Sequence, residues 1–262
     1  MKNSVHILNA SIPRVPVTTV LFDFDGTIST LRNGWEMVME PLMVELLGED
    51  SIELVRTYIS ESTGVQTIHQ MKWLANEVKK RHGSAESPWV YKAEYNRRLM
   101  ENVSKRRASL SDGSAKREDY LIAGSDALLR ELKGRGVDLL VASGTDDPDV
   151  KAEVSLLGLD KHFFHVAGAP VGVESCSKDA VIRGLLSSGV SGQRLAVVGD
   201  GKVEIAIGRE NGARTLGLAS DENARKGINA VKQERLAKAG ADIITGDFLG
   251  LDILMNFFMG SL

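Results

Sequence analysis

The amino-acid sequence predicts an α/β fold, a doubly wound parallel sheet carrying an inserted helical unit, and three observations predict it. First, the apolar, β-branched run Val17-Thr18-Thr19-Val20 leads directly into Leu21-Phe22-Asp23-Phe24-Asp25-Gly26-Thr27. This is the pattern of a buried strand of a parallel sheet that ends at two carboxylates. Second, strand-like runs alternate with helical spacings from Tyr120 onward, as in a sheet covered by helices on both faces. Third, the segment from Leu31 to Glu118 carries helical spacings without strand periodicity. The expected organisation is a Rossmann-like core of residues 1–30 and 119–262, with residues 31–118 as the helical insertion.

Taken in order after Tyr120-Leu121-Ile122-Ala123-Gly124, the spacing of Leu128, Leu129 and Leu132 predicts a helix stopped at Gly134 to Gly136. Val137 to Ala142 reads as a strand, Asp147 to Leu157 as a helix ending near Gly158, and Phe163 to Ala167 as a short strand. Lys178 to Leu186 is a helix and Arg194 to Val198 a strand. Val203 to Asn211 is a helix closed by Gly212, and Ala213 to Leu218 a strand. Asp242-Ile243-Ile244 and the apolar stretch Leu249 to Phe258 complete the alternation. In the insertion, Trp35, Val38, Met39 and Leu42, then Ile68, Met71, Leu74 and Val78, repeat at helical intervals.

With 262 residues, 43% hydrophobic and 26% charged, the chain can bury one sizeable core or two modest ones. A formal net charge of -3 supplies no electrostatic case for nucleic acid, which calls for a strongly basic face. Lys79-Lys80-Arg81 and Lys105-Arg106-Arg107 read as solvated helix faces. The one cysteine, Cys176, excludes an intramolecular disulfide and points to a reducing compartment, with a small buried spacer as its own role. Met1 to Pro16 lack the apolar stretch of a signal peptide and no run approaches membrane-spanning length, so a cytoplasmic location without membrane partners is expected. Oligomeric state is not legible.

Open α/β sheets bind ligands just outside the carboxyl ends of their strands, where Asp23 and Asp25 would project. Two acids one residue apart repel, an arrangement more easily kept where a divalent cation or a proton in transit offsets the charge. Gly26 and Thr27 allow a sharp turn and offer backbone N–H groups and a hydroxyl to an anion. A solvated Asp-Gly turn is the competing reading of this motif alone.

Three further segments decide between them. Asp138-Leu139-Leu140-Val141-Ala142-Ser143-Gly144-Thr145 puts a serine at a strand end. Ser177-Lys178-Asp179 opens a helix with a lysine, and Leu195-Ala196-Val197-Val198-Gly199-Asp200-Gly201-Lys202-Val203-Glu204 ends a strand in two spaced acids. With Asp23-Phe24-Asp25-Gly26-Thr27, these four motifs in this order resemble the haloacid dehalogenase superfamily, from about Val17 to the C-terminus. The segment from Leu31 to Glu118 lies outside the resemblance. Glu204, where the family more often has Asp, is a mild departure that leaves direct metal ligation or a hold on a metal-bound water open.

The resemblance implies a phosphatase branch enzyme. Asp23 is then the nucleophile that forms an aspartyl-phosphate. Asp25 is the general acid and base, a group that the family's dehalogenases and pump ATPases lack. Ser143, the Gly144 and Thr145 amides and Lys178 hold the phosphoryl oxygens, with Gly26 and Thr27 nearby. Mg²⁺ is the implied cofactor, with Asp23, Asp200, Glu204 and the Asp25 carbonyl as its ligand set. The insertion is then an α-helical cap that closes over the strand ends, expels water and shapes the substrate pocket. Enlargement of the core by the same helices fits the periodicity equally well.

In the insertion, Ser62-Thr63-Gly64-Val65-Gln66-Thr67 reads as a polar loop at a helix N-terminus, with Thr63 and Gly64 facing the pocket, or as simple helix capping. Arg97 and Arg98 reach inward or are solvated, the latter being the default. His69, His162 and His165 read as turn or surface histidines. Gly199-Asp200-Gly201 lacks the rest of a dinucleotide fingerprint, so no nicotinamide or flavin is assigned. The expected substrate is a small phosphorylated metabolite such as a sugar phosphate. The alternatives are a phosphomutase with the same apparatus and a non-catalytic sensor domain on the same fold.

Overall fold

The computed structural model describes residues 5–9, 11–174 and 177–262. Two short stretches open it, β1 (His6–Ile7) and β2 (Thr19–Phe22), the latter fully buried. Four helices follow: α1 (Glu36–Leu47), α2 (Ile52–Glu61), α3 (Thr67–His82) and α4 (Pro88–Ser111). The remaining order is α5 (Ser125–Gly134), β3 (Asp138–Asp146), α6 (Asp147–Leu156), β4 (His165–Ala169), α7 (Ser177–Ser187), β5 (Leu195–Gly199), α8 (Lys202–Glu210), β6 (Arg214–Leu218), α9 (Ala230–Ala239), β7 (Ile243–Thr245) and α10 (Leu251–Met259).

The strands form one sheet in the order β1-β7-β6-β5-β2-β3-β4, parallel except for β1, which pairs antiparallel with β7 at the edge. The antiparallel edge was not expected, because His6-Ile7 is too short to carry a periodic signal. The chain runs from β2 to one side through β3 and β4, then crosses to β5 on the other side. The gap between β2 and β5 is therefore a topological switch point, where open α/β sheets bind ligands. Phe22 is level with Val141 on β3 and Val198 on β5, so the residues that follow each strand emerge at one edge.

Alternation along β2 explains why both faces are covered. Val20 and Phe22 pack into a cluster with Leu128, Leu129 and Leu132 of α5 and Leu254 and Phe258 of α10. Leu21 points the other way, to Ile182 of α7 beside Leu140 and Val197. The four helices between β2 and α5 have an apolar cluster of their own, with Met39, Met43, Val55, Met71, Leu74, Tyr95 and Leu99 at its centre. Each such side chain contributes roughly 1.5–3 kcal/mol on burial. The Tyr58 and Trp73 rings stack at 3.8 Å, tying α2 to α3.

The insert joins the core through a two-stranded seam. The Thr30 amide donates to the Tyr120 carbonyl, the Ile122 amide donates to the Ile28 carbonyl, and Ser29 bridges antiparallel to Leu121. Arg106 of α4 donates to the Leu31 and Asn33 carbonyls and fastens the outgoing strand of that seam. Among the described residues no helix is long and apolar enough to cross a membrane. Cys176 lies outside the described residues.

Of the histidines read as turn or surface residues, His162 lies in a turn but not at the surface: it is 4% exposed, with Nε2 3.3 Å from Asp126 Oδ1. Burial lowers its pKa, against the pull of Asp126. The turn after α6 carries Leu159 into the core and His162 with it.

Candidate active site

A cavity with room of about 120 Å³ for the centres of water-sized molecules lies over the switch point, between the strand ends and the insert. Asp23 sits at its floor, one residue past β2, with its amide still donating to the Val198 carbonyl. The chain then turns back sharply, and the amides of Thr27, Ile28 and Ser29 all donate to the Phe24 carbonyl. Gly26 takes φ +71°, and a Cβ there would lie 2.5 Å from Asp200 Oδ2, so only glycine lets this turn pass so close to the second strand end.

Lys178, in the first turn of α7, is buried among the carboxylates. Its Nζ is 3.1 Å from Asp23 Oδ1 and 2.9 Å from Glu204 Oε2. Glu204 stands behind this layer, its Oε1 accepting from the Gly201 amide at 2.6 Å as the N-terminal cap of α8. Carboxylate oxygens of Asp23, Asp200 and Glu204 lie within 4.8 Å of one another. Burial raises the Asp23 carboxyl well above its usual range; Lys178 opposes this, while Glu204, Asp200 and Asp25 add to it. For Lys178, burial is the largest influence and works against the charge, yet Asp23 and Glu204 outweigh it and hold the ammonium above its ordinary value.

Asp25 is oriented by hydroxyls. Thr145 Oγ1 donates to Asp25 Oδ2 at 2.8 Å and Ser143 Oγ donates to the same oxygen at 3.2 Å. Oδ1 is buried and has no hydrogen-bond partner among the described residues, where Arg32 Nε lies 3.9 Å away. β3 runs three residues past Ser143, with a register shift between Ala142 and Asp146, so Ser143, Gly144, Thr145 and Asp146 all line the cavity.

The insert supplies the opposite wall. Thr63 and Gly64 line the cavity, as does Gln70. Gly64 rests on the core, since a Cβ on it would come within 3.2 Å of Gly201 Cα and of Glu204. Thr63 Oγ1 caps α2 by donating to the Ile59 carbonyl at 3.2 Å. Of the sequence-predicted site residues, Asp23, Asp25, Gly26, Thr63, Gly64, Ser143, Gly144, Thr145, Lys178 and Asp200 line one cavity. Glu204 is just behind them. Thr27 is not in the lining: the turn onto the Phe24 carbonyl buries its side chain completely, and Oγ1 has no hydrogen-bond partner.

Arg97 and Arg98 do not reach the cavity; they pair with Glu94 and, respectively, with Glu101 and Glu45 on the outer side of α4. The inner side of that helix presents Lys92 and Asn96, one turn apart, to Asp146 at 2.5 and 3.2 Å. A helical stripe of Tyr91, Tyr95, Leu99 and Val103 marks the buried side, and that signal could have found them. Two other groups escaped sequence reasoning. Arg32 lines the cavity and is held by the fully buried Glu153 of α6 at 2.8 Å. Lys232 of α9 reaches Asp200 Oδ2 at 2.7 Å and Glu222 Oε1 at 2.5 Å.

A family model described as haloacid dehalogenase-like hydrolase matches residues 17–212. The chain belongs to that family. No curated protein sequence matches it. Among solved structures, this haloacid dehalogenase-like hydrolase is similar to a predicted phosphoglycolate phosphatase from Haemophilus somnus, at 17% identity and TM-score 0.62 over 91% of this chain and 97% of the other. A haloacid dehalogenase-like protein from Agrobacterium tumefaciens matches at 19% identity and TM-score 0.61, over 91% and 97%. A β-phosphoglucomutase from Clostridium difficile matches at 15% identity and TM-score 0.59, over 85% and 96%. Identities this low speak for the shared fold alone.

Proposed function

We propose that the chain is a magnesium-dependent phosphatase of a small phosphate monoester, a sugar phosphate or related metabolite, acting through an aspartyl-phosphate on Asp23. The observation that carries this reading is Asp23 at the strand end beside Lys178, with Asp25 held by two hydroxyls on one oxygen and left open on the other.

The donor set fits Mg²⁺: it is all oxygen, it clusters within 4.8 Å, and its three carboxylates carry more negative charge than Lys178 offsets. Asp23, Asp200 and the Asp25 carbonyl would hold the ion, and Glu204, both of whose oxygens accept other bonds, would stand behind them. Bound there, Mg²⁺ would offset the repulsion between the carboxylate and the phosphoryl group.

Within that frame Asp23 attacks phosphorus while Lys178 offsets the charge of the phosphoryl oxygens, and Ser143, by turning its hydroxyl from Asp25 Oδ2, supplies a donor to them beside the Gly144 amide, its own Oγ held by the Thr145 amide at 3.0 Å. Asp25 protonates the leaving alkoxide through Oδ1 and then takes a proton from the water that hydrolyses the aspartyl-phosphate. Residues 31–118 act as a cap whose Thr63 and Gly64 close the rim opposite Gly201 and exclude bulk water from the reaction. The same fold serves a solved structure named β-phosphoglucomutase, and the same apparatus would suit a second reading, return of the phosphoryl group to a turned intermediate. An isomerised product in place of inorganic phosphate would select it.

The test is phosphate release from an aryl phosphate with magnesium, with EDTA, and with Asp23→Asn. Turnover that needs magnesium and vanishes in the variant is the expected result. Steady turnover by Asp23→Asn, with deamidation excluded, removes Asp23 as nucleophile.

A further inference from the structure

Every basic side chain that lines the cavity, among the described residues, is already matched by a carboxylate. Lys178 lies between Asp23 and Glu204. Lys92 is bonded to Asp146 at 2.5 Å. Arg32 is bonded to Glu153 at 2.8 Å, with Asp149 3.5 Å away on the cavity side. The reaction centre uses Lys178, so Lys92 and Arg32 are the cations facing the leaving group, and neither has charge to spare. Among the described residues, the hydrogen-bonding capacity left there is the Nη1 of Arg32, whose charge Glu153 and Asp149 already offset, the Asn96 carboxamide oxygen, and Asp149, which receives Arg107 and Arg32 at 3.5 Å. Trp35, Tyr95 and Leu99 supply apolar faces beside them.

We infer that the site selects phosphate monoesters whose leaving group is a neutral polyol and rejects those whose leaving group carries a second anion, with Asp146 as the residue that sets this preference by occupying Lys92. The inference rests on the phosphatase reading above. A hydroxyl both donates and accepts, so it can bond an aspartate, an amide oxygen or an arginine N–H without disturbing the existing pairs, and aromatic rings accommodate the C–H face of a sugar. A carboxylate at the same place would meet Asp146 and Asp149 with no free cation, a like-charge contact in a partly closed site. Removing the Asp146 charge releases Lys92, 6% exposed and already in place, to receive that carboxylate.

Two matched pairs test this, each differing by a carboxylate in place of a hydroxymethyl group: glycerol 3-phosphate against 3-phosphoglycerate, and glucitol 6-phosphate against 6-phosphogluconate. The readout is the ratio of kcat/KM within each pair, so a general loss of activity in a variant cancels. The full chain with magnesium is expected to favour the neutral member by on the order of tenfold or more, and more strongly at low salt. Asp146→Asn is expected to shrink that ratio about tenfold by raising the relative rate on the carboxylate member. Asp149→Asn shrinks it in the same direction and serves if the first variant does not fold. A wild-type ratio near one, or a ratio unchanged in the folded variants, overturns the inference while leaving the phosphatase reading intact. Failure to hydrolyse these esters and an aryl phosphate overturns both.

Discussion

At the sheet end of the cavity, Asp23, Asp200 and Glu204 bring together more negative charge than the nearby ammonium groups offset, whereas under the insert Lys92 and Arg32 are each held by an acid of the core. The first cluster comes from the ends of the neighbouring parallel strands β2 and β5, fixed by sheet register, and from the first turn of α8. The second is assembled across elements, α4 against β3 and the outgoing seam against α6. One end is poised to take up cationic charge and the other is balanced before any ligand arrives. On the function proposed above, the contrast separates the part of the site that would perform the reaction from the part that would read what is attached to the reacting group.

Asp25 stands on the boundary, with Ser143 and Thr145 on one oxygen and Arg32 nearest the other, and breaking it tests the comparison most severely. Asp25→Ala should slow phosphoryl transfer from an alkyl phosphate by ~10²–10⁴-fold, the usual value of general acid–base assistance. An aryl phosphate, whose leaving group needs little protonation, should lose much less in that step. Single-turnover measurements on both substrates give the two numbers. Equal losses would assign Asp25 to structure instead of proton transfer.

Removing a cation from the balanced end should be costly for folding. Arg32→Met leaves Glu153 fully buried without its partner, and loss of one member of a buried ion pair typically costs about 3–5 kcal/mol. Burial already pushes the Glu153 carboxyl up to about 7 against the pull of Arg32. A raised acid keeps its full stability below the unfolded-state value of about 4.5 and loses it as pH rises through the folded-state value. The variant should therefore lie closest to wild type near pH 5 and fall away toward pH 8. Denaturant melts at the two values decide it; a pH-independent deficit would show that Glu153 stays ionised throughout.

Buried His162 and partly exposed Asp126 form a polar pair outside the cavity and sharpen the comparison with the smallest effect. The histidine pKa is lowered by burial, so its stabilising contribution is present above about 6.5 and declines as pH falls. His162→Gln should flatten the stability profile between pH 7.5 and 5.5 relative to wild type, by about 1 kcal/mol or less, without changing turnover of an aryl phosphate. A profile parallel to wild type would mean another group dominates that window.

The sheet end was legible in the sequence because each motif sits within a few residues of a strand end or helix start, and the four in order carry the family resemblance that singles out Asp23, Ser143, Lys178 and Asp200. The far end was not. Arg32 and Glu153 are 121 residues apart, and Lys92 and Asp146 are 54 apart. Neither separation carries a periodic signal, because the pairing depends on how the insert sits on the core. Thr27 shows the opposite failure: the motif singled it out, but the fold of the turn carried its side chain inward. The helical character of residues 31–118 was legible from spacing, while the inner side of α4 needed the stripe of Tyr91, Tyr95 and Leu99 to be extended to its polar neighbours.

The seam that pairs residues 28–30 with 120–122 has a consequence in chain entropy. Closing a flexible loop becomes costlier only with the logarithm of its length, by about 0.6 kcal/mol per doubling. Once the seam is zipped, the polypeptide between its ends is an excursion whose size hardly matters to the sheet. Helices could be lengthened, shortened or exchanged there at small thermodynamic expense, provided that the hydrogen bonds of the seam survive. The same strand ends could thereby be refitted with another reader of leaving groups, while the geometry around Asp23 stays as β2, β3 and β5 define it.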